Sequence, residues 1–173
     1  MNPPPRTPEE VFRAFAPRLY TLARRMLADP AEAEEVTHDV LLQALESPET
    51  RGEEAERFAW LRRVAVKAVL ERRRQTGPTG EPTLDWTGPG GGAEAPPGAT
   101  APGESLRGRL ERAIAALPVA YRDVFVLIDV EGADRAAAGD LLGLSLKAVQ
   151  RRLHTARRLL HEAIAPHLEE GAA

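Results

Sequence analysis

The chain has 173 residues and a formal charge of −3, with 14 Gly, 15 Pro and no Cys. The missing cysteine excludes disulfides, Cys-ligated zinc and thiol catalysis, and so small a net charge makes its distribution a better guide to partners than its total. No apolar run reaches the roughly 18 residues that span a bilayer, and the opening MNPPPRTPEE lacks the basic start and apolar stretch of a secretory signal, so a soluble, cytoplasmic protein is expected.

Taken in chain order, Phe12, Phe15, Leu19, Leu22, Ala23, Met26 and Leu27 recur at helical steps of three and four and mark a first helix, broken at ADP (28–30). Val36, Val40, Leu41 and Ala44 give a second helix its inner face. Phe58, Leu61, Val64, Ala65, Ala68 and Val69 mark a third that runs out through Arg74. Nothing alternates with period two for the length of a strand, so 7–75 is expected to form a small helical bundle. Its charge is segregated. Nine acids face a single Arg51 between residues 31 and 56, whereas seven bases face a single Glu71 between 57 and 74. Blocks of opposite sign point to two different partners.

Residues 76–105, TGPTGEPTLDWTGPGGGAEAPPGATAPGES, have almost no periodic apolar face and are expected to form a flexible linker. Its one apolar knot, Leu84, Asp85 and Trp86, either docks or stands exposed.

A second helical module is expected over 106–167. Leu110, Ala113, Ile114 and Leu117 make a helix stopped by Pro118, and Tyr121, Val124, Phe125 and Ile128 make the next, ended near Gly132. Asp134 can cap RAAAGDLL, with Gly143 as its stop, and Ser145 can cap the last helix. There Leu146, Val149, Leu153, Ala156 and Leu160 form an apolar stripe, while Lys147, Gln150, Arg151, His154, Arg158 and His161 fall opposite. A basic amphipathic helix alone is more often a solvated face. A short helix joined to it through Gly143, Leu144 and Ser145 is what makes a helix-turn-helix, in which one helix braces on the DNA backbone and the next enters the major groove. Ser145 and Lys147 then meet phosphates or base edges, Gln150 and Arg151 suit bidentate base contacts, and His154 also faces the groove. Arg157 and Arg158, further along, are assigned to phosphates. The whole is expected to be all-α: two small helical domains, a linker, and a C-terminal helix-turn-helix.

The segment LPVAYRDVFVLIDVEG followed by GDLLGLSLKAVQRRLHTARRLL resembles the promoter-binding domain of the bacterial extracytoplasmic-function sigma factors, and AEAEEVTHDVLLQAL with FAWLRRVAVKAVLERRR is similar to the same family's polymerase-binding domain. The likeness spans roughly 11–74 and 106–165. It implies that Glu35, His38, Asp39 and Leu42 dock on the clamp helices of the largest subunit of core RNA polymerase. Arg62, Arg63, Lys67, Arg72 and Arg73 would then contact the minus-ten element, and the helix-turn-helix the minus-thirty-five element. Phe58 and Trp60 would be packing residues rather than base-stacking ones. An anti-sigma factor is implied as a further partner. Departures occur at His38-Asp39, where relatives carry Gln-Glu; at Lys67, where many carry Asn; in the acid-rich loop SPETRGEEAER (47–57); and at DRAAAGDL, where Gly139 stands inside a helix at an expected cost of about 1 kcal/mol relative to Ala.

Other readings are open at this point. The chain could be a sigma-like adaptor, or a regulator with one helix-turn-helix, that does not direct promoter opening. Enzymatic activity is not expected: His38 and Asp39 point to different helix faces, and no phosphate-binding Gly loop follows a strand. His154, His161 and His167 lie seven and six apart with no Cys in the chain to join them, so neither a metal site nor a cofactor is expected.

Overall fold

The computed structural model describes residues 7–27, 29–47, 53–76 and 105–170. Every regular element among them is helical, and the chain divides into two compact units, Met1–Thr79 and Gly80–Ala173. Most of the expected linker, with Trp86, and residues 48–52 of the acidic loop lie outside the described residues.

The first unit is a bundle of α1 (Pro8–Met26), α2 (Pro30–Glu46) and α3 (Glu54–Thr76), each packed on the other two. Thr7 and Glu10 close a capping box at the start of α1, the Glu10 amide donating to Thr7 Oγ1 at 3.3 Å and the Thr7 amide to Glu10 Oε2 at 2.9 Å. Asp29 then caps α2 through the Ala31 amide at 2.8 Å. Phe15, Leu19, Leu22 and Met26 meet Val40 and Leu41 of α2 and Leu61, Val66 and Val69 of α3 in a closed core. Phe58 stacks on Phe15, with ring centroids 6.3 Å apart, and the Arg18 guanidinium lies 3.5 Å above the Phe58 ring. That side chain is therefore a packing residue, as the resemblance implied.

Three expectations for this unit need correction. Phe12 is 37% exposed and Val11 takes the buried position, because the α1 face turned toward α2 and α3 runs through residues 11, 15, 19 and 22. In α3 it is Val66 that is fully buried, while Val64 and Ala68 are half-buried flanks. The acidic loop is also shorter than expected, since Glu54 to Arg57 form the first turn of α3, where acids complement the helix dipole.

The second unit contains α4 (Leu106–Ala116), α5 (Val119–Phe125), a π-helical turn (Val126–Val130), α6 (Arg135–Leu142) and α7 (Leu146–Glu170). Helices α4, α5 and α6 all pack on α7. Ser105 caps α4 through the Gly108 amide at 3.2 Å. Arg122, buried, donates from Nη1 to the Ala115 carbonyl at 3.0 Å, which satisfies an acceptor near the end of α4. Val124, Val149 and Leu153 form a core cluster, flanked by Phe125, Ile128, Leu142 and Leu144.

The π turn was not anticipated. Its hydrogen bonds reach further than α-helical ones, from the Glu131 amide to Val126 O and from the Ala133 amide to Leu127 O, both at 2.9 Å. The wider turn brings Val126 and Leu127 to the core, leaving Phe125 and Ile128 only half-buried. The apolar stripe of α7 is shifted as well. Leu146 is 52% exposed, since no earlier turn of its own helix stands beside it, and Leu159 joins Val149, Leu153, Ala156 and Leu160 inside.

Candidate nucleic-acid interface

The α6–turn–α7 unit is built from the capping residues the sequence offers. Asp134 Oδ1 accepts from the Ala137 amide at 2.7 Å and starts α6. Gly143, with φ 66° and ψ 33°, supplies the left-handed residue that ends it. Ser145 Oγ accepts from the Ala148 amide at 3.2 Å and starts α7. Gly139 has a different role from the weakness expected of it: the Leu144 amide donates to its carbonyl at 2.9 Å, and a Cβ on Gly139 would lie 2.9 Å from the Leu144 carbonyl oxygen and 3.5 Å from Val149 Cγ2. The lost helix propensity is offset by a close approach of the turn that a side chain would block.

On α7 the buried side is complete from Val149 to Leu160, and Ser145, Lys147, Gln150, Arg151, His154 and Arg158 are all exposed on the remainder. This is a short braced helix followed by one whose free face carries amide, guanidinium, ammonium and imidazole groups, suited to phosphates and base edges. Two of the arginines expected at the DNA have carboxylate partners within the unit. Arg157 donates from Nε to Asp129 Oδ2 at 2.7 Å and from Nη2 to Asp129 Oδ1 at 2.6 Å, and these bonds hold its pKa above the ordinary guanidinium value. Arg158 pairs with Glu162 one turn on, at 2.7 Å. Arg157 thus ties α7 to the π turn.

In the first unit, Glu35, His38, Asp39 and Leu42 are all exposed along α2, Leu42 at 47%. His38 meets Phe12 edge to face, with ring centroids 6.1 Å apart, and both line a groove of about 740 Å³ between α1 and α2 with Ala16, Pro17 and Tyr20. The sequence reading missed this surface because it assigned Phe12 to the core and gave Tyr20 no role. The basic run of α3 is not one open face. Arg63 and Lys67, one turn apart, are exposed, and Arg62 is half-buried. Arg72 instead pairs with Glu35 of α2, and Arg73 donates to the Met26 carbonyl, where it caps the end of α1. The expected polymerase and minus-ten residue sets therefore touch at Glu35 and Arg72.

Arg135, the first residue of α6, is a basic side chain at this interface that the sequence reading passed over. It lines a cleft of about 290 Å³ with Gln150, Leu153, His154 and Arg157. Its position just after the capping Asp134, at the start of the bracing helix, was the available signal. No cluster of three or more His, Asp or Glu side chains suited to a metal occurs among the described residues, and no helix there is long and apolar enough to cross a membrane.

Comparison with known proteins matches both units. A sigma-70 region 2 family model covers residues 11–79, and a sigma-70 region 4 model covers 107–160. The chain is similar to the ECF RNA polymerase sigma factor SigE of Mycolicibacterium smegmatis, at 28% identity over 95% of this chain and 64% of that one. Similar likenesses extend to SigM of Mycobacterium tuberculosis (28% identity, 88% of this chain and 74% of that one) and to SigW of Bacillus subtilis (23%, 90% and 87%). The chain thus spans just under two thirds of the length of the SigE relative. Among solved structures, the fold matches that of the sigma factor RpoE from Bartonella quintana, solved in complex with the anti-sigma factor NepR, with a TM-score of 0.61 at 19% identity over 91% of this chain and 95% of that one.

Proposed function

The chain belongs to the sigma-70 family, in its extracytoplasmic-function group, and from that premise we propose that it binds core RNA polymerase and directs it to specific promoters. It acts in the cytoplasm as a non-enzymatic initiation factor, the nucleotide chemistry belonging to the polymerase. The observation that carries this reading is the free face of α7: Lys147, Gln150, Arg151 and His154 stand exposed beside a turn fixed by Gly139, Gly143 and Ser145. A solvated helix needs no such bracing. The division of labour follows the charge. In this reading 7–75 carries the α2 stripe for the clamp helices and Arg62, Arg63 and Lys67 for the minus-ten element, 106–167 takes the minus-thirty-five element, and 76–105 joins them. An inhibitory protein that covers these surfaces is a further partner, by analogy with the anti-sigma factor bound to the RpoE relative.

One observation favours the adaptor alternative, in which promoter DNA is not opened. Arg72 is paired with the Glu35 carboxylate and Arg73 is tied to the Met26 carbonyl, which neutralises one cation of the expected minus-ten surface and holds a second in place. Run-off transcription with core polymerase and a random promoter library separates the two readings. Defined start sites support the sigma role, whereas polymerase binding without them leaves the adaptor.

A further inference from the structure

Of the 23 Lys and Arg side chains, only two are lysines, Lys67 and Lys147. They stand in different units, one on α3 and one on α7, and each lies on a face assigned above to promoter DNA. Both are exposed. Neither is held in an ion pair among the described residues. The carboxylate one turn beyond Lys67, that of Glu71, is taken by Arg74 at 3.1 Å and by Gln75 at 3.3 Å, and no acid occurs between residues 141 and 161 around Lys147. Each amine has a guanidinium at the same spacing, Arg63 four residues before Lys67 and Arg151 four residues after Lys147, both exposed. Residues four apart on a helix share a face, with Cβ atoms about 5–6 Å from each other.

Both side-chain types bind phosphate, but they differ in reactivity. The lysine amine is a nucleophile once it has lost its proton, whereas the guanidinium stays charged and delocalised, so lysine is the residue open to acylation. We propose that Lys67 and Lys147 are acylation sites at which an acyl phosphate switches off promoter binding, with Arg63 or Arg151 holding the phosphate of the donor. The neutral amine attacks the acyl carbonyl carbon. The N–C bond forms, the C–O bond to the phosphate breaks, inorganic phosphate leaves with the electron pair, and the proton of the amine passes to solvent. The product is a neutral amide, which has lost the charge that phosphate binding uses. In an acyl phosphate a single oxygen joins the phosphorus to the carbonyl carbon, so amine and guanidinium one turn apart can engage both; in a coenzyme A thioester the phosphates lie far from the carbonyl. The inference rests on the promoter-binding role proposed above. One modification in each unit acts on both promoter elements, while the α2 stripe, which contains no lysine, keeps its hold on polymerase.

The test treats the full chain with acetyl phosphate or, in a separate arm, with acetyl coenzyme A, and locates the amides by peptide mass mapping. Acetyl phosphate is expected to acetylate Lys67 and Lys147. Arg63→Gln should slow the first reaction severalfold and spare the second, and Arg151→Gln should do the reverse. A duplex is selected from a random pool by the untreated wild-type holoenzyme, and its affinity is measured between about 50 and 300 mM NaCl. Holoenzyme assembled from the acetylated chain should bind it at least about tenfold more weakly, with the log–log salt slope lowered in magnitude by about 1–2. Capture of core polymerase by the acetylated chain should match that of the untreated one. The double variant Lys67→Arg with Lys147→Arg is measured before and after the same treatment, which should not shift its affinity, and thermal melts establish that each chain is folded. Absence of amides at the two lysines, or unchanged duplex affinity in the fully acetylated wild type, would overturn the switch while leaving the promoter role intact. So would an equal loss in the treated double variant, which assigns the effect to the N-terminal amine, or lost capture of core polymerase. Rates indifferent to Arg63→Gln and Arg151→Gln, or a faster reaction with the thioester, overturn the acyl phosphate as donor. Failure of the untreated wild type to select any duplex overturns the promoter role itself, and the inference with it.

Discussion

Arg157 of α7 and Asp129 of the π turn face each other as two parallel hydrogen-bonded pairs, 28 residues apart in the chain. This fork binds the middle of α7 to the segment that precedes the helix-turn-helix. The Arg157 side chain is 53% exposed, so screening limits the pair to about 1 kcal/mol. Arg157→Gln and Asp129→Asn should each lower the melting temperature by a few degrees, and the double variant should cost little more than either alone. The raised pKa of Arg157 also fixes a sign: a base whose folded-state pKa is raised contributes its full stability below the ordinary guanidinium range and loses it only above. The Arg157→Gln deficit should therefore stay constant between about pH 7 and 10, where guanidinium remains charged in both states. Melts across that range check this.

Gly139→Ala runs against helix propensity. An alanine would ordinarily gain about 1 kcal/mol at a helical glycine, yet its Cβ would press on the Leu144 carbonyl oxygen, a backbone atom that can move only if the turn opens. The variant is expected to be destabilised by about 1–3 kcal/mol, in the range of overpacking. Its denaturant midpoint should fall without a change in slope, and promoter binding should weaken in parallel.

Base readout should divide along α7. Gln150→Ala and Arg151→Ala are each expected to lose about 1–3 kcal/mol of discrimination at one base-pair position, seen as a relaxed column in binding-site selection. Arg158→Ala, further along and paired with Glu162, should leave the selected sequence unchanged and weaken all duplexes alike.

Glu35 and Arg72 allow structure and recognition to be separated. Glu35→Lys breaks an exposed pair and should cost no more than about 1 kcal/mol of stability, but should reduce capture of core polymerase severalfold. The exchange of both charges, Glu35→Lys with Arg72→Glu, should restore the melting temperature and leave polymerase capture impaired. Restoration of capture by the exchange would limit Glu35 to an internal role.

Local signals in the sequence were enough to find both helical units, the helix-turn-helix and the caps that shape it, because Asp134, Gly143 and Ser145 act within a few residues of themselves, while the caps Thr7, Asp29 and Ser105 were passed over. What stayed hidden depends on partners distant in the chain. Nothing local shows that Arg72 meets Glu35, that Arg73 reaches Met26, or that Arg157 spends its donors on Asp129. Leu146 fitted the apolar period of α7 but stands at its first position and is exposed. Gly139 read as a flaw in a helix because the carbonyl that excludes a side chain belongs to the following turn.

The π turn carries a consequence for how the second unit can change length. A π turn holds one residue more than an α-helical path through the same rise requires, so the extra residue is absorbed where it stands and the segments on either side keep their phase. Removing one residue from it would let the chain rewind as α-helix with Gly132 and α6 near their present orientation, and would change mainly which side chains of the turn face the core. A deletion in α5 or α7, which are continuous α-helix, would instead rotate all that follows by about 100°. The π turn is slack in the chain, the one stretch of the second unit's described helices where a residue can be lost while the bracing and reading helices stay aligned.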